Sequence, residues 1–327
     1  MITKTLKINP KKPELNKINQ AAKIIKNGGL VAFPTETVYG LGANIFDEKA
    51  LKKIYTTKGR PYDNPLIVHI ADLKDLNILT KQIPKLALML AKKFWPGPLT
   101  IILKKSEKIS KIATAGLNTI AIRMPNNKIA LKLIKASGVP IAAPSANKFT
   151  KPSPTLTKHV LEDFKNKIPL IIDGGQTQIG LESTVVDLTS KVPTILRPGK
   201  ITFEQLTSVL GKIRCSQPKV GPPRAEKSPG MKYKHYSPKA EVILFCGKNV
   251  KVQMSNAKNE YFKQNKKIAI IWADKNVETL SKNLFKKFRE FDNKKIDIIL
   301  VESVKEEGLG AALMNRLKKS ASKIIKN

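Results

Sequence analysis

The stretch that most constrains this chain lies between residues 212 and 239. It holds Pro218, Pro222, Pro223, Pro229 and Pro238, together with Gly221 and Gly230, and no apolar period survives there. Proline fixes φ and removes a backbone donor, and glycine costs backbone entropy, so no long helix or central strand can cross it. A chain of 327 residues is also long for one compact domain. The stretch therefore divides it into a unit over 1–211, a linker over 212–239 and a second unit over 240–327. Yet the linker contains SPGMKYKHYSP, with Met231, Tyr233, His235 and Tyr236, and a mere spacer has no use for such side chains.

On either side, strand and helix patterns alternate. In the first unit, Leu15, Ile18, Ala22 and Ile25 stand at helical spacing before Gly28 and Gly29, which supply a stop. Buried strands are expected at Leu30–Phe33, Leu66–Ala71, Leu99–Leu103, Thr119–Met124, Pro140–Ala143, Leu170–Asp173, Ser183–Leu188 and Thr194–Leu196. Helices are expected behind Asp47, over Lys85–Trp95 and Lys128–Ser137, and over Phe203–Leu210 behind Thr202. Leu86–Leu90, with Phe94 and Trp95, reads as core, and His159 as part of a polar helix face. Several later strands follow one another without a helix, which predicts an α/β fold with a mixed sheet. In the second unit, β-rich runs at Ala240–Cys246, Lys267–Ala273 and Ile296–Val301 alternate with helical patterns around 276–289 and 310–325. That pattern predicts a small parallel α/β domain.

The net charge of +35 invites a nucleic-acid or anionic-membrane partner. Resolved by type, it is 53 lysines against seven arginines, with the lysines spread along the chain. Arginine is the better reader of phosphate, so a lysine-rich solvated surface accounts for most of the charge. With only Cys215 and Cys246, neither a disulfide framework nor a four-cysteine zinc site can be built. No apolar run approaches the length of a membrane span, and MITKTLKINPKK lacks the apolar core of a signal peptide, so a cytoplasmic protein is expected. No P-loop, dinucleotide-binding G-x-G-x-x-G, H-E-x-x-H helix or G-x-S-x-G elbow occurs.

What remains is polar segments at strand ends, where open α/β sheets hold their ligands. Thr35, Glu36 and Thr37 follow one strand; Lys58, Arg60 and Asn64 lie among stiffening prolines; Ser145, Asn147 and Ser153 form a third segment; Glu182, Ser183 and Thr184 form a fourth. In a chain that uses lysine by default, an arginine marks a place where a planar fork is needed. Residues 1–210 contain only Arg60, Arg123 and Arg197, the last two at strand ends before a proline. Together they predict one polyanion-binding site.

FPTETVYGLG, KGRPYDNPLIVHI, FWPGPLT, IAIRMP, PSANKFTKPSPT, GLESTVVD, ILRPG and SPGMKYKHYSP together resemble the two-domain threonylcarbamoyl-AMP synthases, and GLGAALMNRLKKSA resembles the signature of their C-terminal domain. The match keeps the family's order over nearly the whole chain and departs from it only in charge. The resemblance implies a YrdC-like domain, with a twisted mixed sheet flanked by helices, and a small C-terminal Rossmann-like α/β domain. It implies a nucleotidyltransferase that joins L-threonine, bicarbonate and ATP into threonylcarbamoyl-AMP and pyrophosphate; on charge grounds Mg²⁺ is expected on the phosphates, with no carboxylate cluster to identify its ligands. A downstream tRNA threonylcarbamoyl transferase complex would consume the product, so this chain need not bind tRNA itself. By position, Lys58, Arg60, Ser145 and Asn147 match the family's phosphate-binding set, the catalytic group. Asn64, Thr119, Ser153 and Arg197 match nucleotide contacts, as do Tyr233 and Tyr236. Thr37, His69, Arg123, Ala143 and Ser183 match the threonine site. Met231 and His235 match a lid drawn from the linker. Hydrogenase-maturation carbamoyltransferases share the YrdC-type domain but need zinc-binding cysteine pairs that this chain lacks. The alternative from another class is an RNA-binding protein of the same fold.

Overall fold

The computed structural model describes residues 1–216, 235–273 and 276–326. The first unit contains strands β1 (Lys4–Lys7), β2 (Val31–Phe33), β3 (Gly40–Asn44), β4 (Ile67–His69), β5 (Leu99–Lys104), β6 (Thr119–Arg123), β7 (Ile141–Ala142), β8 (Leu170–Asp173), β9 (Thr184–Asp187), β10 (Thr194–Arg197) and β11 (Arg214–Cys215). Its helices are α1 (Leu15–Lys26), α2 (Glu48–Lys58), α3 (Leu76–Leu79), α4 (Lys85–Phe94), α5 (Lys128–Ser137), α6 (Thr157–Phe164) and α7 (Phe203–Leu210). The strands form one sheet in the order β1-β8-β2-β3-β7-β4-β6-β5-β9-β10-β11, with parallel and antiparallel pairs intermixed. The mixed sheet is therefore as expected.

Both faces of this sheet are covered. On one, Ile18, Ala22 and Ile25 of α1 pack with Ile129 and Leu133 of α5. On the other lie Leu41, Val68, Leu99 and Ile122, with Leu51 and Ile54 of α2. Each such Leu, Ile or Val side chain contributes roughly 1.5–3 kcal/mol by leaving water. The helix starts follow local chemistry: Asp47 accepts from the Ala50 amide, and Thr202 with Gln205 forms a capping box on α7.

The second unit contains β12 (Glu241–Cys246), α8 (Val250–Lys263), β13 (Ile268–Ile271), α9 (Val277–Asn293), β14 (Ile298–Glu302), α10 (Leu309–Ser320) and β15 (Lys323–Lys326). Its four strands are all parallel, in the order β13-β14-β12-β15. The helix expected over 310–325 stops at Ser320, because the last residues pair with β12 as an edge strand. Helix α8 goes unread in the sequence because it buries only Val250 and Met254. The linker expected from 212 begins with β11, which extends the first sheet.

Two further expectations need correction. On α4 only Ala87, Leu90 and Ala91 are buried, whereas Leu86, Leu88 and Met89 face solvent. His159 is not on a polar face: it is fully buried, and its Nδ1 accepts from the Thr155 amide. Among the described residues no helix is long and apolar enough to cross a membrane.

The two units share a core. Leu181, from the loop between β8 and β9, lies with Phe285, Phe288 and Leu313 of the second unit. Gly180 presses on the backbone of Lys282 in α9, where a Cβ would come within 2.5 Å of it. Arg289 of α9 donates to the Pro152 carbonyl and pairs with Asp163 at 2.7 Å.

Candidate active site

The parallel pair β4 and β6 places His69 opposite Arg123 at the ends of the two strands. Beside them lie the polar turn between β2 and β3, the segment that leaves β7, and the ends of β9 and β10. These elements enclose a cleft with about 570 Å³ of empty space, counted to its open mouth. Of the residues expected at the site, Thr37, Arg60, His69, Arg123, Ala143, Ser145, Ser183, Arg197, His235 and Tyr236 line it.

Arg123 is held from three sides: it donates to Thr37 Oγ1 at 2.9 Å and to the Gly97 carbonyl, and it meets Glu36 at 2.7 Å. The Glu36 contact is an ion pair without hydrogen-bond geometry, and neither carboxylate oxygen accepts a hydrogen bond. Arg197 donates to the Ser183 carbonyl and to its Oγ, each at 3.1 Å. Arg60 donates through Nε and one terminal nitrogen to Asn64 and Pro65. All three arginines are buried, and burial lowers the pKa of Arg60 to about 10, so it remains a cation at neutral pH.

Lys58 lies behind the cleft wall rather than on it. Its Nζ donates to the carbonyls of Ser145 and Asn147, so it pins the segment that carries both. Burial, then the charge of Arg60, pushes its pKa well below the ordinary lysine value. Asn64 serves Arg60, and the Asn147 amide donates to the carbonyls of Lys148 and Lys151. Thr119 opens β6 at the opposite end from Arg123, about 13 Å away at the rise of an extended strand. Ser153 donates to Glu182 at 2.5 Å. Met231 and Tyr233 lie outside the described residues.

His69 is buried against Phe33, and burial followed by the Arg123 charge drives its pKa down to about 3. It is a neutral imidazole at physiological pH. His235 packs edge-on to Phe149, and Tyr236, at φ 66°, stacks on Phe285. Burial pushes the Tyr236 phenol up. The linker's last residues thus close one wall of the cleft and also belong to the second unit's core.

Sequence reasoning placed Glu182 in a polar segment but gave it no role, and it missed Arg316. Glu182 is the one carboxylate lining the cleft among the described residues, and Arg316 of α10 donates to its Oε2 at 3.0 Å. The signal that could have found Arg316 is the rarity of arginine in a lysine-rich chain. Among the described residues no group of three or more His, Cys, Asp or Glu side chains is arranged to hold a metal ion.

The cleft is thus lined by three buried arginines at the strand ends of a mixed sheet. The Sua5/YciO/YrdC family model, described as telomere recombination, matches residues 23–199. A second model, described as threonylcarbamoyl-AMP synthase, C-terminal domain, matches residues 201–322. The chain belongs to the Sua5/YciO/YrdC family and carries the Sua5 C-terminal domain. It is 51% identical to the threonylcarbamoyl-AMP synthase of Pyrococcus abyssi, over 95% of this chain and 96% of that one. It is 45% identical to that of Bacillus subtilis, over 93% and 92%. The crystal structure of P. abyssi Sua5 complexed with L-threonine superposes with a TM-score of 0.94 at 48% identity, covering all of both chains.

Proposed function

We propose that this chain makes threonylcarbamoyl-AMP from L-threonine, bicarbonate and ATP, in the service of tRNA modification. The observation that carries the reading is the convergence of three buried arginines on one cleft whose described lining pairs no hydroxyl with a histidine base. The likeness to a threonine-bound relative supports it over the full length.

The chemistry asks for positioning more than for a nucleophile. The threonine amine and bicarbonate condense to N-carboxy-threonine with loss of water. A carbamate oxygen then attacks the α-phosphorus of ATP, the bond to the bridging oxygen breaks, and pyrophosphate leaves. Both partners are anions, so buried cations that hold them in line supply the rate. Arg123, steadied by Glu36 and Thr37, takes the threonine carboxylate, with Ala143 and Ser183 around it. His69, kept neutral, adds no second charge there. Arg60 and Arg197 face the nucleotide, and Lys58 fixes the Ser145–Asn147 segment against the phosphates. Asn64 and Ser153 support that wall through Arg60 and Glu182. His235 and Tyr236, at the end of the linker, close one wall of the cleft. Mg²⁺ would enter with the phosphates of ATP. The product passes to a separate tRNA-modifying transferase, which is consistent with a cytoplasmic enzyme.

The test is product identity. With ATP, L-threonine and ¹³C-bicarbonate, mass spectrometry should find one adenylate that contains both threonine and the heavy carbon. An adenylate lacking either contradicts the reading.

A further inference from the structure

Arg316 of the second unit bonds to a residue that lines the cleft. Arg316 is fully buried, and its guanidinium spans the seam between the units. Its Nε donates to Glu182 Oε2 at 3.0 Å, one terminal nitrogen to the Glu182 carbonyl and the other to the Pro198 carbonyl at 2.6 Å. Glu182 precedes Ser183, and Pro198 follows Arg197. The same guanidinium lies 5.7 Å from the centre of the Tyr236 ring. Nothing places Arg316 itself on the cleft lining.

The charge arrangement gives this contact its meaning. Glu182 is a buried carboxylate facing a cleft built for anions. Burial raises its pKa, but Arg316, then Arg197 and the Ser153 hydroxyl, outweigh burial and keep it ionised. An ionised carboxylate there would repel a polyphosphate unless its charge were cancelled from behind.

We propose that Arg316 is a positioning residue for the first unit's site: it neutralises Glu182 and thereby lets the cleft accept the nucleotide's phosphates. The inference rests on the reading of the cleft as an ATP site. It gives the C-terminal domain a part in nucleotide binding that does not require it to touch the nucleotide. The opposite reading is that Arg316 only fastens the two units together.

A double-mutant cycle on the full chain separates the two, read as ATP binding by titration calorimetry. Arg316→Met should weaken ATP about tenfold or more, because it leaves a buried carboxylate unpaired before an anion. Adding Glu182→Gln should bring ATP affinity back to within about threefold of Glu182→Gln alone, since the charge to be cancelled is gone. Arg316→Lys, which restores charge without the fork, should fall between wild type and Arg316→Met. If Arg316→Met does not fold, the same cycle is run with Arg316→Lys. An equal loss in both backgrounds, or no loss in either, overturns the proposal. Calorimetry reads the charge effect whether or not product forms. Failure of the synthase reading would appear instead as wild-type protein that binds ATP but releases no threonine-dependent pyrophosphate.

Discussion

Arg123 is engaged by Glu36, Thr37 and the Gly97 carbonyl, and it still lines the cleft. A threonine carboxylate there gains charge-assisted hydrogen bonds of roughly 1.5–3 kcal/mol. Arg123→Ala should therefore raise the KM for threonine on the order of 10- to 100-fold and leave that for ATP nearly unchanged; equal losses would refute the role. The three histidines allow a second residue-scale prediction. His69, His159 and His235 all have folded pKa values near 3, in each case chiefly through burial. The unfolded chain binds more protons than the folded one between pH 6.5 and 3, so their contribution is full above 6.5 and is lost on acidification. Acidification through that window should therefore destabilise the fold. Urea midpoints should fall from pH 7 to pH 5, and His159→Gln should flatten the slope; an unchanged slope would contradict a buried neutral His159. Much of this chemistry was readable from residue type. In a lysine-rich chain Arg60, Arg123 and Arg197 stood out, and all three are buried; so are Arg289 and Arg316. Glu182 gave no such sign, because a carboxylate in a polar segment looks the same whether it is solvated or paired across a domain seam.

At the scale of elements, the loop from β8 to β9 joins the two units. Gly180 has φ +80° and lies against the Lys282 backbone, so an added Cβ would be both strained and obstructed. Gly180→Ala should destabilise the protein by about 2 kcal/mol or more and lower activity by shifting Glu182 and Ser183; an unaltered melting curve would remove the loop from this role. The strands were readable where apolar residues run on, as in β5, β8 and β12. β3 was not, because Gly40 and Gly42 carry no β signal. Gly42 is needed for close packing: a Cβ there would meet the Phe33 ring at 2.7 Å. β15 was absorbed into the preceding helical pattern, since KIIK has too few residues to show a period of two. Polar α8 had no stripe to read.

Across the whole molecule, the division into two units sets what each can do alone. The first unit has its own cores on both sheet faces, so truncation after Gly211 should leave it folded. It would lose Arg316, the closing wall of His235 and Tyr236, and the partners of Leu181. Activity should fall by about tenfold or more, measured at saturating threonine, while circular dichroism still reports an α/β fold. Full activity in the fragment would contradict both the lid and the C-terminal contribution. The fold class and domain pattern were readable because alternating apolar runs and a proline-rich break are local. The seam between the units was not, because it is made by contacts far apart in sequence, such as Glu182 with Arg316. The net charge of +35 reads accordingly: among the described residues only Lys58 is a buried lysine, and the other described lysines are at least partly solvated. Pyrophosphate release from ATP by the full chain, measured with threonine and bicarbonate each present or omitted, tests the central claim most directly. The account predicts release only when both are present; release that persists without either one would contradict it.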